Sequence, residues 1–174
     1  METLSYQEGR QWLADRGLPL DLNNTYALRQ SGSMAFFRLD PDASVKTQLA
    51  RFMAQELFPE QETVFVVLAF DMATPFEYPY IFLKYREALG TKKTLHESKF
   101  HLFDANEAEA LGGAMALSLY FYWDFLVTDT ALNVVIEASH DEYLQVWSGD
   151  PQTFERCEAL FTDFGLEKLD GPLP

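Results

Sequence analysis

The sequence predicts an α+β fold in one domain, a mainly antiparallel sheet with helices packed on it. Three observations lead there. Tyr122 to Asp129, Val134 to Ser139 and Tyr143 to Trp147 are aromatic and β-branched runs parted by short polar turns, the pattern of a three-stranded meander. Apolar stripes at helical spacing run through 44–58 and follow Asp150-Pro151. The chain has 174 residues, 48% of them hydrophobic and 15% aromatic, which is material for one core and excludes a wholly disordered chain. The domain is expected over 1–166, with 167–174 as a loose tail because two Pro and one Gly fall there.

Taken in order, Ser5 and Glu8 have capping-box spacing, so a helix starts at Ser5 and runs to about Asp15, stopped by Gly17 and Pro19. Residues 18–25 read as loop. Tyr26 to Arg29 and Met34 to Leu39 flank Ser31-Gly32-Ser33 as a hairpin. A helix follows from Ser44 to Phe58, with Val45, Leu49, Phe52, Met53 and Leu57 on one stripe, and Pro59 ends it. Val64 to Phe70 is apolar without alternation, so it is placed centrally in the sheet, covered on both faces.

Pro75 and Pro79 make 72–80 irregular at first. Tyr80 to Ala88 reads as a helix ended by Gly90. Thr91 to Lys99 is polar and basic and reads as an exposed loop. Asp104 and Glu107 again have capping spacing, predicting a helix from Ala105 to about Ser118 with Ala108, Leu111, Met115 and Leu119 on one face. Gly112-Gly113 inside it costs roughly 1 kcal/mol per Gly, so a close neighbour or a bend is expected there. After the meander, Asp150-Pro151 is the favoured start of a helix whose buried stripe is Phe154, Cys157, Leu160, Phe161 and Phe164.

Charge is unevenly spread. The net charge is −14; residues 1–103 carry 11 basic and 13 acidic side chains, residues 104–174 carry 2 basic and 14 acidic. Such a field repels nucleic acid and anionic membrane and attracts a basic partner, or it serves solubility alone. The longest strongly apolar stretch, around Leu111 to Tyr122, is broken by Gly112, Gly113 and Ser118 and falls short of the roughly 20 residues of a membrane span. The N-terminus has no positive or apolar leader pattern, and Cys157 is the only cysteine, so the expected compartment is the cytoplasm.

No phosphate-cradling G-x-x-x-x-G-K-[ST] or G-x-G-x-x-G and no G-x-S-x-G elbow is present, so no cofactor and no catalytic residue is assigned. The three histidines, His96, His101 and His140, lack metal-ligand spacing. Cys157 lies on an apolar stripe and reads as core. His140-Asp141-Glu142 is either a solvated turn or, with Asp124 or Glu137 beside it, an acid–base pair.

Alternation along the meander puts Tyr122, Asp124, Glu137, Tyr143, Gln145 and Trp147 on one face. If that face is open, its aromatic anchors and carboxylates suit protein binding. If helices cover it, the aromatics are core. The expected partner-binding set is Tyr122, Asp124, Glu137, Asp141, Glu142, Tyr143 and Trp147.

The run Phe36-Phe37-Arg38-Leu39, the helix ending Glu56-Leu57-Phe58-Pro59-Glu60 and the strand Val64 to Phe70 together resemble a bacterial family of small proteins found near polymorphic toxin genes. The resemblance covers 34–165 in order of elements, including the strand–turn–strand–helix order from Val134 to Phe164. His140-Asp141-Glu142 matches the family's acidic turn loosely. The resemblance implies an immunity protein whose partner is a cognate toxin; the charge suits a basic one. The expectation is therefore a binding protein rather than an enzyme, with no nucleic acid or membrane partner. A small hydrolase with a cleft near His140 and an acidic structural or regulatory domain are the alternatives.

Overall fold

The computed structural model describes residues 1–18, 22, 31–40, 42–59, 61–69 and 77–172, with backbone alone at 69 and 77–79. Among the described residues, five helices and eight strands form a single α+β domain around one antiparallel sheet. The strands are β1 Glu2–Leu4, β2 Ser33–Arg38, β3 Thr63–Ala69, β4 Phe100–Phe103, β5 Asp124–Asp129, β6 Val135–Ser139, β7 Tyr143–Ser148 and β8 Lys168–Leu169. Their order across the sheet is β1-β4-β3-β5-β6-β7-β2-β8. The helices are α1 Tyr6–Asp15, α2 Ala43–Glu56, α3 Glu77–Ala88, α4 Ala108–Tyr120 and α5 Pro151–Asp163.

Both faces of the sheet are covered. Val64, Phe65, Val66 and Val67 of β3 are all fully buried, as an unalternating apolar run requires. One face carries Phe37, Phe65, Phe125, Val127, Ile136 and Leu144 against α2, α4 and α5. The other carries Val64, Val66, Phe100, Leu126, Val135 and Trp147, with Leu13 of α1 packed on it.

Helix starts follow local chemistry. Ser5 and Glu8 form the reciprocal capping box of α1. Asp42 caps α2 through the N–H groups of Ser44 and Val45, and Asp150 caps α5 through Thr153. α4 departs from expectation. It begins at Ala108, because Asp104–Glu107 closes a turn of its own, with Glu107 N–H donating to the Asp104 carbonyl at 2.9 Å. The Glu107 carboxylate is also taken by the α-amino group of Met1. Gly112 faces Arg51 Cα and Ala54 of α2, so the glycine serves a close helix crossing rather than a bend.

Several other expectations are corrected, one lies outside the described residues and one is met. The first hairpin strand, Tyr26 to Arg29, lies outside the described residues; β2 pairs with β7 and β8. The buried stripe of α2 is Lys46, Leu49, Ala50, Met53 and Ala54, while Phe52 points out and meets Phe164. α3 begins at Glu77 rather than Tyr80. The basic loop 91–99 is not wholly exposed: Thr91, Leu95 and Ser98 are buried, and Thr91 bonds Thr3 of β1. Residues 167–169 are pinned where the tail was expected to be loose. β8 pairs with Phe36 and Phe37, and the Glu167 carbonyl accepts from Arg38 N–H at 2.8 Å. The stripe of α5 does face the core, and burial pushes the Cys157 thiol up to about 11, far from a nucleophile.

Two predictions follow from this packing. Gly9→Ala places a methyl within 2.4 Å of the Phe100 ring. Unfolding in denaturant is expected to show a loss of about 1–3 kcal/mol despite the better helix propensity of Ala. His101 is fully buried between the rings of Phe65 and Phe82, and burial, then the charge of Arg86, holds it down to about 3. Below pH 6.5 the unfolded chain takes up this proton and the folded chain does not. Stability falls as pH drops from about 6.5 towards 3, by up to roughly 1.4 kcal/mol per pH unit from this group. His101→Leu should flatten that slope in pH-dependent unfolding curves.

Candidate binding surface

The β6–β7 turn, His140-Asp141-Glu142, stands at one end of the meander. Glu142 takes a left-handed φ of 62° to reverse the chain, and its N–H donates to the Ser139 carbonyl at 3.1 Å. The turn is tied down from two sides. Leu39 N–H, just beyond β2, donates to the Glu142 carbonyl at 2.8 Å. Asp124, opening β5, accepts from the His140 backbone N–H at 2.6 Å and from its ring Nδ1 at 2.7 Å.

A carboxylate only accepts, so the Nδ1 position carries the proton, and Nε2 is left facing Asp141 Oδ1 at 3.5 Å. The bond to Asp124, with the charges of Asp124 and Asp141, raises the His140 imidazole above its ordinary range. Tyr143, half-buried beside them, titrates above the usual phenol range because burial disfavours the phenolate.

Beside the turn lies a feature that an apolar-stripe reading passes over. Lys46 of α2 is almost wholly buried, with its ammonium 3.8 Å from the Tyr122 ring centroid and 3.7 Å from Glu142 Oε1. Tyr122 is not on a strand; it joins α4 to β5 in a left-handed conformation, φ 56°, which turns its ring over the ammonium. The cation is therefore held between a π face and a carboxylate. Tyr122 keeps 44% of its surface exposed, and Tyr120, which sequence reasoning missed, keeps 53%.

Six of the seven expected residues, Tyr122, Asp124, Glu137, Asp141, Glu142 and Tyr143, fall on or beside this end of the meander. Glu137 is half-buried opposite Gln145, and both take part in further interactions. Trp147 is the exception. It lies at the far end of β7, opposite Val135 and Met34, and is 6% exposed in the core that holds Leu13 and Leu126. For this residue the covered-face reading holds.

Among the described residues no group of three His, Cys, Asp or Glu side chains could hold a metal ion, and no helix is long and apolar enough to cross a membrane. Two grooves are described. One, about 320 Å³, is bounded by Trp12, Arg16, Glu62, Leu102, Asp104 and Thr130; the other, about 340 Å³, lies along α1. Neither touches His140.

Comparison with protein-family models, with curated proteins and with solved structures finds no match.

The Asp124–His140 bond makes a signed prediction. A raised folded pKa contributes stability that is complete below about pH 6.5 and is lost as pH rises through the folded value. Asp124→Asn should bring the His140 titration, followed by NMR at its ring Cε1 proton, back towards 6.5 and erase that part of the pH dependence of unfolding.

Proposed function

We propose that the protein is a protein-binding module that docks a basic partner on the acidic, aromatic end of its meander. We read it as an immunity protein that neutralises a cognate bacterial toxin in the cytoplasm. The observation that carries docking is the exposed Tyr122 ring, seated over Lys46 beside Glu142, at the end of the meander where Asp124 and Asp141 flank His140. Tyrosine supplies large contact area at small entropic cost, and carboxylates around it speed encounter with a cationic surface. The immunity assignment rests on the resemblance in order of elements and on the acidity of residues 104–174, which suits a basic toxin such as a nuclease.

A second reading has one observation in its favour. Asp124 orients His140 as a carboxylate orients a general base, at 2.7 Å. Two observations weigh towards docking: the His140 side chain is 30% exposed, and its Nε2 already faces Asp141.

Affinity capture of the tagged protein from its host lysate, at low and high salt, tests the docking reading. The expected result is one stoichiometric basic partner, weakened by salt and lost, by at least tenfold, in Asp141→Lys. Glu155→Lys on α5 should leave it bound. A partner indifferent to Asp141→Lys, or no partner at either salt, refutes this face as the docking site. Hydrolytic turnover abolished by His140→Gln would instead establish the acid–base reading.

A further inference from the structure

Arg86 of α3 is fully buried, yet most of its hydrogen-bonding capacity is unused. Its Nη2 donates to the Ser98 carbonyl at 3.1 Å and to the Ser98 hydroxyl. Its Nε and Nη1 find no partner among the described residues. Glu97 is the carboxylate that acts on it through space, but that side chain is exposed and committed to the Thr94 N–H at 2.7 Å and hydroxyl at 2.9 Å.

On the same segment, Lys93 Nζ donates to the Thr3 carbonyl at 3.4 Å and Lys99 Nζ to the Leu68 carbonyl at 3.1 Å, while the charge of Lys93 acts on Glu97. His101, the other buried base, stays neutral under the influence of burial and of Arg86. A guanidinium does not shed its proton near neutral pH; burial lowers this one only to about 10. An interior corner thus holds a cation that meets no carboxylate at hydrogen-bond distance among the described residues, with only the exposed Glu97 acting on it from further off.

An uncompensated buried charge is costly, and water in its place would accept hydrogen bonds without cancelling charge. We propose that Arg86 anchors an internal site for a small inorganic monoanion, of which chloride is the type, held by its Nε–H and Nη1–H groups. The anion must be small, because Arg86 is wholly buried. The site is separate from the docking surface and does not depend on it.

Thermal unfolding of the whole chain at fixed ionic strength, in sodium chloride against sodium gluconate, tests this. A ligand bound only by the folded state raises Tm, here by an expected 2–4 °C or about that, with a saturating dependence on chloride. Arg86→Met should lose the difference, and Arg86→Lys should keep part of it. Equal Tm in the two salts would overturn the proposal, leaving a hydrated and unpaired guanidinium. So would a chloride dependence that survives Arg86→Met. If that variant does not fold, crystals of the unaltered protein soaked in bromide decide the matter. An anomalous peak beside Arg86 supports the site, and its absence refutes it.

Discussion

Val64, Phe65, Val66 and Val67 are consecutive on one strand and all fully buried, so both faces of the sheet have to be covered. That demand organises the chain. Layers α2, α4 and α5 take one face and α1 takes the other. Covering a flat sheet closely needs short approaches, which is where glycine enters: Gly9 of α1 lets the helix sit on the Phe100 ring, and Gly112 lets α4 lie against α2. The meander inherits its orientation from the same arrangement. Its aromatic and β-branched residues alternate between two packed layers, and polar chemistry is left mostly to the turns and strand ends, with Glu137 and Gln145 the mid-strand exceptions.

Electrostatics are reshaped by folding. In sequence, the basic residues lie mostly before Asp104 and the acidic excess after it. In space they interleave. Arg51 meets Glu109, Arg38 meets Glu167 and Lys46 meets Glu142. The first two pairs are exposed and contribute little to stability. Lys46 is different, because its ammonium is buried and depends on Tyr122 and Glu142 for compensation. Those two residues therefore serve the fold before they serve any partner, and the charge left for a partner is carried by Asp141 and the carboxylates around it.

What could be read from the sequence was what is decided locally. The capping box at Ser5, the Asp150-Pro151 start of α5 and the three meander strands all depend on residues within a few positions of one another. The two-to-three-residue strands β1 and β8 could not be read, since such strands exist only through the partner they meet. Lys46 was missed because a stripe reading counts apolar residues and has no term for a buried ammonium over a ring. Alternation put Glu137 and Gln145 on one face, as their opposition shows, but it failed for Tyr122, which lies off the strand and turns its ring to Lys46 of α2. Which parts of a face lie open was undecidable without the covering layers: Trp147 and Tyr143 share a face of β7, yet one is core and the other half-exposed.

The sheet begins and ends with its shortest members, three residues in β1 and two in β8. An antiparallel sheet with long, flat borders offers a template on which a second chain can add its own strand. Borders this brief present few backbone groups in register, and the β8 border carries Lys168 and neighbouring Glu167 and Asp170. The fold thereby guards a strongly aromatic chain against propagating from copy to copy, a protection against aggregation built from the smallest elements it has.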